Sequence, residues 1–166
     1  QYVYTVACLQ TRNPLLNRQA WQILGQEIDF DRMQMAAEQL IGTHDFGAFG
    51  TPPQAGSTNT VRQVYHSQWE KVPDNYGEQY VYRIRATAFL YHMVRRIVGT
   101  LVQVGLGKIT VQEFKAILES RDIQQAKILA PSQGLVLEIV EYPQHKTATS
   151  ITTGHAEEII EHPVEE

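Results

Sequence analysis

Residues 79–104 change hydrophobic period in one step, and that step fixes much of what the chain can fold into. Residues 79–86 alternate, with Tyr80, Tyr82, Ile84 and Ala86 on one side and Val81, Arg83 and Arg85 on the other. This is the period-two pattern of a strand with one buried face. Residues 89–104 then set Leu90, Met93, Ile97, Leu101 and Val104 at helical spacing, with Gly105 and Gly107 as stop signals. A half-buried strand followed directly by an apolar helix requires the helix to lie on the sheet. Residues 61–71 read as a second strand, and the turn residues of 73–77 join the two as an antiparallel hairpin.

Around this unit the other elements are shorter. Residues 2–10, rich in β-branched and aromatic side chains, read as a strand. Their first residues resemble the middle of a sheet, which suggests sequence upstream. After the Asn13-Pro14 turn and a short region around Trp21, residues 31–41 have helical spacing. Met33, Ala36, Ala37, Leu40 and Ile41 share a side, Asp29 or Asp31 serves as N-cap and Gly42 as terminator. Residues 51–59 form a Pro-, Gly- and Ser-rich loop. Thr110 caps a helix over 111–120, with Glu113 in capping-box position, and a last strand covers 135–142. The order β–α–β–β–α–α–β predicts an α+β fold: a largely antiparallel mixed sheet with helices on one face. Residues 1–143 form this domain, and residues 144–166 are expected to be a flexible acidic tail.

Length and composition agree with one domain: 166 residues, 43% hydrophobic and 19% charged. No uncharged apolar run approaches the roughly 18 residues of a membrane span, and no signal peptide is visible. The single cysteine, Cys8, has no internal disulfide partner, so a reducing cytoplasm is expected and buried packing is its ordinary role. From Pro143 onward one base, Lys146, faces five acids, so the whole net charge of −4 lies there and residues 1–142 are balanced. A balanced body still has room for a local basic face, so a nucleic-acid partner is not excluded.

Arg95 is the first residue to invite a functional reading. On the 89–104 helix it points away from the core stripe, beside Ala88, Tyr91, Gly99 and Val102, with room in front of it because Gly99 removes bulk one turn on, whereas His92, Arg96 and Gln103 form the solvated stripe. A guanidinium on a partly apolar surface calls for a carboxylate or phosphate. Two readings stay open: an ion pair with Asp45 or Glu70, or a ligand-facing role. In GTHDFGAF (42–49), His44 and Asp45 are neighbours on a turn with no nucleophile nearby, and Asp45 reads as a loop-ordering cap. The scattered His44, His66 and His92 make no metal site, and Gly105-Leu106-Gly107-Lys108 follows a helix and reads as its stop, so no cofactor is implied. Tyr2 and Tyr4 share a strand face and suit either core packing or base stacking.

Five segments resemble, in their order along the chain, the TruA-type tRNA pseudouridine synthases. ATAFLYHMVRRIVG (86–99) resembles that family's ANAFLYHMVRNIVG, GTHDFGAF its GEHDFSAF, and Thr60-Val61-Arg62 its TVR strand. APSQGLVLEIVEYP (130–143) resembles its APPHGLYLVEVxYP, and the opening Tyr2-Val3-Tyr4 its YRY. The resemblance implies a pseudouridine synthase fold, no cofactor and a homodimer acting on uridines of the tRNA anticodon stem-loop. It implies further that Arg95 pairs with a nucleophilic aspartate carried upstream in a GRTDAGVHA-like motif. That motif is absent here, so the chain alone is expected to be inactive: half of an enzyme, or else a non-catalytic RNA-binding or dimerisation module. By the same resemblance Tyr2 stacks on the target base, Gly134 and Leu135 line the uridine pocket, and His92 and Arg96 edge the RNA-facing side. Arg96 stands where the family has Asn, and Thr43, Gly47, Thr87, Ser132, Gln133 and Val136 also depart from its pattern.

Overall fold

A computed structural model describes residues 1–53, 58–74 and 77–140. Part of the 51–59 loop, Asn75 and Tyr76 of the expected turn, the end of the expected last strand and the acidic tail lie outside the described residues. The elements run β1 (Tyr2–Leu9), a 3-10 turn (Pro14–Leu16), β2 (Trp21–Leu24), α1 (Phe30–Glu38), β3 (Gly42–Asp45), β4 (Val61–Asp74) and β5 (Gly77–Ala86). Then follow α2 (Met93–Gly105), α3 (Val111–Ser120), a second 3-10 turn (Ser132–Gly134) and β6 (Leu135–Leu137).

Among the described residues six strands form one sheet in the order β2-β1-β5-β4-β3, with β6 also on β1. Every pairing is antiparallel except β1 with β2. The expected α+β class with a largely antiparallel mixed sheet is what the chain adopts. The β4–β5 hairpin is its spine, and its register slips once, between Val64 and His66. One extra residue there flips the alternation, so Val64 before it and Ser67 and Trp69 after it are all buried. Tyr4, Val6, Tyr82 and Ile84 join them beneath the helices. A smaller cluster of Ala7, Leu9 and Ala20 is closed by Leu16.

α2 is apolar on nearly every side, with ten of its residues buried, as befits the central helix. α1 lies across it: Asp29 caps α1 by accepting from Arg32 N at 3.0 Å, and its own amide donates to Gly105 O at 2.8 Å. A Cβ on Gly105 would stand 2.8 Å from Ile28 Cγ2, so close packing of the two helices explains that glycine. Gly107, at φ +67, is the left-handed stop of α2. The capping box of α3 forms as expected, with Thr110 Oγ1 accepting from Glu113 N and the Glu113 carboxylate accepting from Thr110 N.

Several boundaries differ from the sequence reading. α1 ends at Glu38, and Gly42 opens β3 at φ +113, so Gly42 starts a strand and does not terminate a helix. β2 and β3 were not expected; each is four residues held by its partner strand. Most important for the site, α2 begins at Met93 and not at Phe89. Tyr91 N donates to Thr51 O at 2.8 Å, which holds the approach to the helix in a bridge with the preceding loop.

Candidate active site

The first turn of α2 lies where β1, the 50–53 loop and the strap between α3 and β6 converge. They enclose an open cavity of about 410 Å³ lined by Tyr2, Phe89, His92, Arg95, Ser132 and Leu135 among others. Four of the six residues singled out from sequence, Tyr2, His92, Arg95 and Leu135, are thus brought to one place.

Tyr2 stands half-buried on β1, its ring edge-on to Phe89 with centroids 4.9 Å apart. That contact holds the tyrosine ring in place at the wall of the cavity it lines. His92 precedes the helix in a left-handed conformation, φ 63 and ψ 3, and makes no side-chain cap bond. Its ring lies against that of Tyr91, tilted by 31° with centroids 3.8 Å apart. Burial first, then the charges of Arg95 and Arg96, lower its pKa, so the imidazole is held toward its neutral form.

Arg95 is held by the backbone. Its Nε donates to Ala130 O at 2.7 Å, and Ala130 N donates to Arg95 O at 3.1 Å. Among the described residues no carboxylate pairs with this guanidinium. The two acids expected as internal partners are engaged elsewhere: Glu70 with Arg83 at 2.6 Å, and Asp45 with Arg121 at 3.5 Å. Asp45 also accepts from Gly47 N at 2.9 Å and Thr60 Oγ1 at 2.5 Å, which makes it the loop-ordering cap the sequence suggested. These bonds, against the opposing effect of burial, lower its pKa.

Three expectations about the surroundings need correction. The space beside Gly99 does not open in front of Arg95; a Cβ there would stand 2.2 Å from Ile128 O, so the strap fills it. Arg96 is not on a solvated stripe, because Nη1 donates to Ala126 O at 3.0 Å and its buried Nε has no partner among the described residues. Gly134 does not line the cavity. It is buried, and a Cβ on it would stand 2.7 Å from both Thr5 O and Tyr4 Cε1. Tyr4 itself is fully buried, and its hydroxyl donates to Pro131 O at 2.5 Å. Its proximity to Arg95 and this bond were invisible in sequence, since strand alternation marks Tyr4 as core and gives no hint of a polar partner 127 residues away. Phe89, Pro53 and Ser132 were also missed as lining residues, having looked like helix, loop and variable positions.

The remaining candidates offer no second centre. Burial, and then Glu78, push the Cys8 thiol up to about 11, which leaves it a packing residue. Among the described residues no three His, Cys, Asp or Glu side chains gather for a metal, and no helix is long and apolar enough to cross a membrane.

Residues 36–143 match the family described as tRNA pseudouridine synthase. A tRNA pseudouridine synthase A of Roseiflexus sp. (strain RS-1) is 40% identical over 151 residues, covering 90% of this chain and 54% of the relative. Its namesake in Chloroflexus aurantiacus is 42% identical over 146 residues, covering 86% and 51%. That of Bacillus pumilus is 39% identical over 142 residues, covering 86% and 55%. The chain therefore spans about half the length of the curated relatives it matches.

Proposed function

The chain belongs to the tRNA pseudouridine synthase family, and from that premise we propose that it supplies the arginine-bearing half of a site that isomerises uridine in the anticodon stem-loop of tRNA. The observation that carries this reading is Arg95. Its Nε is taken by Ala130, its terminal nitrogens have no carboxylate among the described residues, and it lines one cavity with Tyr2, His92 and Leu135. A guanidinium so fixed offers two parallel N–H groups to a carboxylate, and a carboxylate so held is kept ionised and aimed. The reaction breaks the bond from C1′ to N1 of uridine and forms one from C1′ to C5. A proton leaves C5 and one is gained at N1, so atoms and electrons balance without a cofactor.

In this reading Tyr2 stacks on the base, Leu135 gives it an apolar wall, and His92 meets the RNA as a neutral donor or acceptor. The nucleophilic carboxylate comes from outside the described residues. The isolated chain is then inactive, and a cytoplasmic homodimer belongs to the same proposal. The test is direct. The chain incubated with unmodified tRNA should form no pseudouridine, yet bind an anticodon-arm hairpin with affinity that falls steeply with salt, more weakly still as Arg95→Ala. Turnover by the chain alone would overturn the need for an external carboxylate. Salt-independent binding, or binding indifferent to Arg95, would overturn the assignment of the cavity.

A further inference from the structure

The strap from α3 to β6 is stitched along α2 at successive points. Arg96 Nη1 holds Ala126 O, Gly99 admits Ile128 O, and Arg95 closes on Ala130 from both its backbone and its Nε. Pro131 follows at once, and its carbonyl accepts from Tyr4. Gly134 then rests on the Tyr4 ring, and Leu135 enters the cavity. One aromatic side chain in β1 thus meets the strap on both sides of the turn that carries Ser132.

We infer that Tyr4 is a positioning residue for Arg95. Its hydroxyl bonds Pro131 O of the strap, and the side chain is fully buried, so it does not reach substrate. The Tyr4 hydroxyl fixes Pro131 O and with it the Pro131–Ser132 peptide, the proline's locked φ carries that hold to the Ala130–Pro131 peptide, and Ala130 O fixes the plane of the Arg95 guanidinium. With Nε so engaged, rotation about the last side-chain bonds is blocked and only the terminal nitrogens face the cavity. A hydroxyl donating to a buried carbonyl is otherwise a weak reason to keep tyrosine over phenylalanine in a core. This inference rests on the reading of Arg95 as a carboxylate's partner.

The test follows the Arg95 Nε–H resonance of the chain by NMR, with acetate as the carboxylate probe. In the parent chain this proton should exchange slowly and acetate should shift it saturably. Tyr4→Phe keeps the ring under Gly134 and removes one oxygen. It should speed exchange about tenfold, the order expected from one lost bond, and weaken the acetate response severalfold. Gly134→Ala, which presses a methyl on the Tyr4 ring, should act in the same direction and serves if Tyr4→Phe does not fold. Leu118→Ala in α3 lowers stability elsewhere and should leave both readouts unchanged. Equal exchange in Tyr4→Phe and the parent, or an equal effect of Leu118→Ala, overturns the positioning role. Absence of any acetate shift in the parent overturns the carboxylate reading of Arg95 instead, while the exchange comparison still decides on Tyr4.

Discussion

His92 is the place where backbone geometry and function make opposite demands, so substitutions there separate the two. At φ 63 and ψ 3 the residue sits in the left-handed region, which costs a residue with a Cβ roughly 1–2 kcal/mol. Glycine escapes that penalty. At an ordinary position it is less stable than alanine by about 0.5–1 kcal/mol, because it gains freedom in the unfolded chain. His92→Gly and His92→Ala both lose the ring that lies against Tyr91, and they differ only in whether the strain stays. The glycine variant should therefore be the more stable by about 1 kcal/mol, the reverse of the usual order, or roughly 2–4 °C in melting temperature. Both variants should bind anticodon-arm RNA several times more weakly than the parent. Urea denaturation and filter binding at one fixed salt concentration measure the two effects. An alanine variant as stable as the glycine one would remove the strain from the account. Undiminished RNA binding by both would remove the functional reason for keeping histidine there.

Three further outcomes are expected. Ser67 Oγ donates to Ala37 O and lies 2.7 Å from the hydroxyl of fully buried Tyr82. Ser67→Ala should thus cost about 1–3 kcal/mol by orphaning that hydroxyl, and adding Tyr82→Phe should recover part of the loss in a calorimetric double-mutant cycle. Gly99→Ala, which in a free helix would stabilise by about 1 kcal/mol, should destabilise by roughly 1–3 kcal/mol because the strap occupies its methyl's place; equilibrium unfolding gives the sign. Since the pKa of His92 is lowered in the fold from 6.5, the unfolded chain takes up a proton first as pH falls, and stability should decline below about that value. His92→Asn should flatten that slope in melts across the acid range.

Regular periodicity was legible in the sequence, and contacts between distant segments were not. The alternation of β5 and the capping box of α3 are local signals, and both elements stand where they were read. Arg95 was singled out because a cation beside a core stripe is anomalous within its own turn, and the fold brings it to the lining of a cavity. The start of α2 was misread because residues 89–91 are as apolar as a helix. The hydrogen bond from Tyr91 to Thr51, and the approach of Gly50 to within 2.7 Å of Tyr91 O for any added Cβ, override that spacing. Of the positions the wheel assigned before Met93, Leu90 keeps its place in the core, and the neighbours given to Arg95 there were lost with the misread start. Arg96 was placed in solvent by the same wheel, although its length lets it reach Ala126 of a strap that the sequence presents as irregular. β3 carries no alternation at all; Gly42-Thr43-His44-Asp45 is a strand only because β4 offers it an edge.

β1 shares one of its edges between two strands: β6 covers Tyr2–Tyr4 and β2 covers Val6–Leu9. Those neighbours come from opposite ends of the described chain, so the two pairings close loops of very different length. β2 lies within a short loop of β1 and is able to pair early, as is the hairpin, whose loop closure is cheap. β6 must wait until residues 135–137 exist and then close a loop over nearly the whole domain. Tyr2 and Leu135, one from each side of that last pairing, are walls of the cavity. The cavity is thus completed by a pairing that closes one of the longest loops in the described chain. A partial unfolding that released β6 would erase the site while the hairpin and α2 stayed folded.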